Sequence, residues 1–164
     1  MNRKLVWLIL PVMMVAAVVA AILLTDSSEP VAQAVLEPAP RESGFMTDTV
    51  TDEQGAVTVA VTPLNLNEPG ETLDFEVVLD THSVDLGMDL AERATLNTDA
   101  GLAVVPSAWE APSGGHHVAG TLSFPAISDG KSTLEGAREV TLLIRDVDAG
   151  ERHFSWMMVS SPAG

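Results

Sequence analysis

From Ala56 onward, hydrophobic and polar positions alternate with a period of two, the pattern of strands with one buried face. In AVTVAVTPL, Val57, Val59 and Val61 fall on one face and Thr58, Ala60 and Thr62 on the other. Asn67-Glu68-Pro69-Gly70 supplies turn chemistry. TLDFEVVLDTH then alternates again, with Leu73, Phe75, Val77 and Leu79 set against Asp74, Glu76, Val78 and Asp80. These two segments are predicted to pair as a hairpin-like unit.

Further along, Val84, Leu86, Met88 and Leu90 alternate with Asp85, Gly87 and Asp89, which predicts another strand, with a helical turn near Leu90–Arg93. RATLNTDAG and LAVVPSAWE read as two short strands. In HVAGTLSF, Val118, Gly120, Leu122 and Phe124 are predicted inward. Residues 127–131, ISDGK, read as a loop. EVTLLIRDV and RHFSWMM flank Asp148-Ala149-Gly150, a hairpin connection, with Phe154, Trp156 and Met158 on one face. Seven or eight short strands without a sustained helix predict an all-β domain, an immunoglobulin-like antiparallel β-sandwich over residues 56–160 with a tail at 161–164. There is no cysteine pair and no tyrosine for an immunoglobulin core or its tyrosine corner.

The first part of the chain follows neither pattern. Leu5–Leu24 is a run of twenty residues without a charge. As a helix it would be roughly 30 Å long, the hydrocarbon thickness of a bilayer. A cleaved signal peptide has a shorter apolar region with small residues close behind it. Here the nearest small-x-small site is Ala32-Gln33-Ala34, so residues 1–24 read as a retained membrane anchor. Arg3 and Lys4 precede the run, and Asp26 and Glu29 follow it. This polarity places the N-terminus in the cytoplasm and the rest outside the cell membrane. Residues 25–55, with prolines at 30, 38 and 40 among Ser, Thr, Glu and Asp, read as a flexible stalk. Within it, Phe45-Met46 is either incidental apolarity or an extra strand docked on the domain.

Charge narrows the range of partners. Arg3 and Lys4 are two of eight basic residues, so the chain beyond Leu24 carries 23 acidic against 6 basic residues, a net −17. Such a charge opposes nucleic acid and anionic lipid and favours cationic partners, metal ions among them. Without cysteine, the domain depends on its hydrophobic core.

Candidate chemistry centres on SGGHHVAG, where Gly114-Gly115 precede His116-His117. Neighbours in a strand point to opposite faces, so His116 is predicted inward near the core rim and His117 outward. With His82 and Met88 they form a candidate copper or zinc site, since imidazole with thioether or carboxylate suits these ions. Asp80, Asp85 and Glu110 are candidate oxygen ligands or partners of the imidazoles. The spacing matches no established metal motif. Loop capping by solvated histidines is the simpler account.

DVDAGE (146–151) lacks the glutamate of a calcium loop, because Met157 stands at its twelfth position. No G-x-S-x-G elbow, cysteine nucleophile or phosphate-binding glycine loop is present, which argues against an enzyme. Trp109, with Pro112 and His117, forms an aromatic tip suited to partner contact. The sequence therefore predicts a membrane-anchored, non-catalytic binding or assembly module for a protein partner or membrane complex, with metal binding as the alternative.

Overall fold

The computed structural model describes residues 43–159. The expected anchor, residues 25–42 of the expected stalk and the tail 161–164 lie outside the described residues. Among the described residues no helix is long and apolar enough to cross a membrane.

These residues form an all-β, sandwich-like fold of antiparallel sheets. In chain order the strands are β1 (Gly44–Phe45), β2 (Val50–Gln54), β3 (Val57–Pro63), β4 (Thr72–Thr81), β5 (Ala94–Thr98) and β6 (Ala103–Val104). They continue as β7 (Ala108–Glu110), β8 (His117–Pro125), β9 (Ile127–Ser128), β10 (Lys131–Ser132), β11 (Glu139–Arg145) and β12 (Glu151–Val159). One sheet has the order β2-β3-β4-β8-β7 and the other β1-β12-β11-β5-β6, with β9 and β10 a separate small hairpin.

The alternating positions meet between the sheets. Val59, Val61, Leu73, Phe75, Val77, Leu79, Leu122 and Phe124 from the first sheet are fully buried, as are Leu96, Val140, Leu142, Ile144 and Phe154 from the second. Trp156 closes the contact, its ring 5.4 Å from that of Phe75, which in turn meets Phe124 edge-on at 5.7 Å. Each such side chain contributes about 1.5–3 kcal/mol by leaving water. That is how a chain without disulfides can hold a domain of this size.

Several expectations are corrected. The stalk does not extend to Gly55, because β1 and β2 belong to the two sheets. β2 escaped notice because its half-buried face carries Val50 and Asp52, and Asp52 is neutralised from the other sheet by Arg152. β1 is held by Asn67, whose amide oxygen accepts from Phe45 N–H at 2.6 Å and whose amide nitrogen donates to Phe45 C=O at 3.0 Å. Phe45-Met46 thus follows the extra-strand alternative, with Phe45 buried.

The predicted strand over Val84–Leu90 is absent. Thr81 Oγ1 accepts from the N–H groups of Ser83 and Val84, each at 3.3 Å, and turns the chain out of β4. Leu86 and Leu90 are still buried, but the segment makes no ladder and ends in a 3₁₀ turn, Leu90–Glu92, capped by Asp89. LAVVPSAWE is two strands in different sheets, β6 and β7. Pro106 lies in the crossing, where its lack of an N–H donor costs no ladder bond. Residues 127–131 are not simply a loop: β9 and β10 close around Asp129-Gly130, both at positive φ. On β12 the inward row is Arg152, Phe154 and Trp156, while Met158 is exposed.

Candidate functional site at the loop end bearing Trp109 and the histidines

The registers define two ends of the fold. At one, Val57 pairs with Thr81 and Asp80 with His117. At the other, Thr72 pairs with Pro125, and Gly44 with Val159. The chain enters from Ser43 at the second end. His82, Met88, His116, His117 and the loop after Trp109 all lie towards the first.

SGGHH is explained by how the loops meet there. Gly114 and Gly115 adopt φ of 71° and 110°, which L side chains rarely take, and the reversal sends the chain into β8. The turned loop is then pinned: Leu86 N–H donates to Gly115 C=O at 3.1 Å and Thr81 N–H to His116 C=O at 2.9 Å. Gly115 N–H points to Asp85 Oδ1 at 3.4 Å. A Cβ on Gly114 would lie 3.2 Å from that same oxygen, so the glycine permits the close approach.

Between the two laced loops is a groove of about 210 Å³, lined chiefly by Leu86, Met88, Asp89, Trp109, Ala111 and Pro112. Trp109 is half-buried and lies over Gly120, where a Cβ would come within 2.8 Å of its ring and 2.5 Å of the Ala111 Cβ. The missing side chain of β8 is what seats the indole. Asp89 Oδ1 accepts from Ala91 N–H at 2.8 Å. Neither Asp85 nor Asp89 forms an ion pair among the described residues.

His82, His116 and His117 share this end of the fold. His82 and His116 are both exposed, which corrects the prediction that His116 turns inward. His117 is exposed as predicted, and its Nδ1 contacts the carboxylate of Asp80, its register partner on β4. Met88 lines the groove with Trp109. Among the described residues no three His, Asp or Glu side chains are grouped to hold a metal ion. His153, on the other sheet, bonds to Glu151 Oε1 at 2.8 Å. For hydrolysis, Ser155 Oγ is engaged by Thr141 Oγ1 at 2.7 Å.

Two features escaped the sequence. Leu86 and Asp89 line the groove although their segment read as a paired strand; the Leu86-Gly87-Met88 alternation was the available signal. The entry end also differs in surface character: of the seven exposed large apolar residues among those described, Met46, Leu64, Ile127, Met157, Met158 and Val159 lie there, and Val105 does not. A hollow of about 390 Å³ at that end is lined by Ala100, Leu102, Ser128, Asp129, Lys131 and Glu135, with charges of both signs. Nearby, Asp99 accepts from the N–H groups of Arg138 at 2.8 Å and Glu139 at 3.1 Å, and these bonds hold its pKa below the ordinary carboxylate value.

The chain matches no protein-family model, no curated protein and no solved structure.

Proposed function

We propose that this protein is a single-pass, membrane-anchored binding or assembly module, non-catalytic, with an immunoglobulin-like domain outside the cell membrane. Its contact surface is the groove between Leu86–Asp89 and Trp109–Gly114, and its partner is a protein or membrane complex. The observation that carries this reading is the groove itself, an aromatic-walled recess between two laced loops at the end away from Ser43. Loops on a rigid sheet scaffold are where recognition residues concentrate, and tryptophan is prominent among contact anchors. The apolar run Leu5–Leu24 and the charge polarity around it support the anchor and its orientation. The acidic balance disfavours nucleic acid. The alternative, copper or zinc binding by His82, His116 and His117 with Met88, is supported only by their common end and by the His117–Asp80 contact.

The test is site-specific photo-crosslinking from full-length protein in its native membrane. A crosslinker at Ser113, in the groove, is expected to give a discrete adduct that Trp109→Ala abolishes. One at Ala119, on the exposed sheet face, is expected to give none. Equal labelling from both positions, or turnover of a substrate by the purified protein, would sink the reading.

A further inference from the structure

We propose that the groove accepts a basic side chain, lysine or arginine, presented by the partner protein. This rests on the reading of the groove as the contact surface and adds the chemistry of what enters it.

The walls suit the stem of such a side chain. Met88 and Trp109 are half-buried and pack against the core cluster, so each offers a fixed apolar surface. Lysine and arginine bury their methylenes along such surfaces and keep the charged head in a polar setting. Gly87 and Gly114 contribute no side chain where the loops approach each other, which leaves the recess open. Little reorganisation is needed on binding, because Trp109 is seated on Gly120 and the loops are joined by backbone hydrogen bonds.

The charges choose the sign. Asp89 lines the groove, and Asp85 stands against Gly114 and Gly115 beside it. Among the described residues no lysine or arginine lines the recess. Each carboxylate accepts one hydrogen bond from a backbone N–H, leaving lone pairs for a guanidinium or ammonium. The indole face adds cation–π attraction for the same head. A carboxylate or phosphate would meet two like charges and no compensating cationic side chain among the described lining residues. The acidic chain as a whole, at −15, steers cationic surfaces towards it.

The experiment uses full-length protein in nanodiscs of zwitterionic lipid and follows the Trp109 indole N–H resonance by NMR. The probes are blocked Gly-Arg-Gly, Gly-norleucine-Gly and Gly-Glu-Gly tripeptides. The arginine peptide is expected to shift the Trp109 signal saturably while that of buried Trp156 stays. Asp89→Asn, which retains a capping side chain for the 3₁₀ turn, is expected to raise its Kd about threefold to fivefold. Raising the salt concentration is expected to weaken binding in the same direction. Equal affinity for the norleucine peptide, or an Asp89→Asn variant with unchanged Kd, overturns the proposal. If the arginine peptide fails while the Ser113 adduct persists, the cationic occupant is wrong and the contact surface stands. If both fail, both readings fall.

Discussion

Arg152→Met tests what joins the two sheets. Arg152 is fully buried on β12 and paired with the Asp52 carboxylate of β2. It also donates to Val147 C=O at 2.9 Å, Val57 C=O at 2.9 Å, Gln54 C=O at 2.6 Å and Asp52 C=O at 3.2 Å. One guanidinium therefore holds the β2–β3 turn and the β11–β12 loop to the edge of both sheets. Methionine matches much of the stem but removes every donor.

Breaking a buried pair from one side costs about 3–5 kcal/mol, because the other charge stays behind. Asp52 keeps 20% of its side chain exposed, so water can reach it and the lower part of that range applies. We expect about 3 kcal/mol, a large share of the roughly 5–15 kcal/mol that stabilises a typical domain. At about 3–6 °C per kcal/mol for a domain of this size, Tm should fall by about 9–18 °C. The assay is urea and thermal unfolding of the full-length protein, read by near-UV circular dichroism. A companion Asp52→Asn variant and the double variant complete a cycle, in which the two losses should be strongly non-additive. A loss below about 1 kcal/mol for Arg152→Met would refute the reasoning, since it would mean that the orphaned acceptors are easily hydrated.

Gly120→Ala should place a methyl group 2.5 Å from Ala111 Cβ and 2.8 Å from the Trp109 ring, displacing β7. Overpacking of this kind costs about 1–3 kcal/mol, and the indole fluorescence should shift to the red as Trp109 moves into water. Because Asp99 has a folded pKa lowered by two backbone donors, its contribution to stability is present above the ordinary carboxylate value and lost as pH falls through the lowered one. An NMR titration should show Asp99 protonating below that ordinary value, and Asp99→Asn should flatten the acid side of the stability profile; an ordinary midpoint would contradict the assignment. Equimolar zinc or copper should leave Tm unchanged, because His117 is engaged with Asp80 and no third ligand is grouped with them among the described residues. A rise in Tm that disappears in His116→Ala/His117→Ala would restore the metal reading.

The strands that carry the core were legible because their alternation is local. Leu73 to Leu79 and Phe154 to Trp156 need only a partner sheet, and any partner would bury the same face. The candidate site was legible in part. Trp109, Met88 and the histidines were singled out by residue type, but their grouping depended on which loops met. The parity argument put His116 inward, whereas strand geometry begins only at His117, after two glycines at positive φ. Val84–Leu90 alternates like a strand and buries Leu86 and Leu90, yet Thr81 turns it away from any ladder. Alternation reports burial on one side; pairing also needs a free neighbouring edge.

By itself the sequence determined the all-β class, the inward faces of β3, β4, β8 and most of β12, and the acidic surface. These follow from side-chain period and composition, which are properties of each segment alone. Only the tertiary structure decided that β1 and β2 belong to the domain, that β6 and β7 fall in different sheets, and that Met88 meets Trp109 across a groove. Each of these depends on a contact between residues distant in the chain: Asn67 with Phe45 for β1, Arg152 with Asp52 for β2, the pairing of Trp109 with Leu122 while Val104 pairs with Leu96, and Gly115 with Leu86 at the groove. A polar residue in a lone segment reads as solvent-facing until the group that satisfies it arrives from elsewhere.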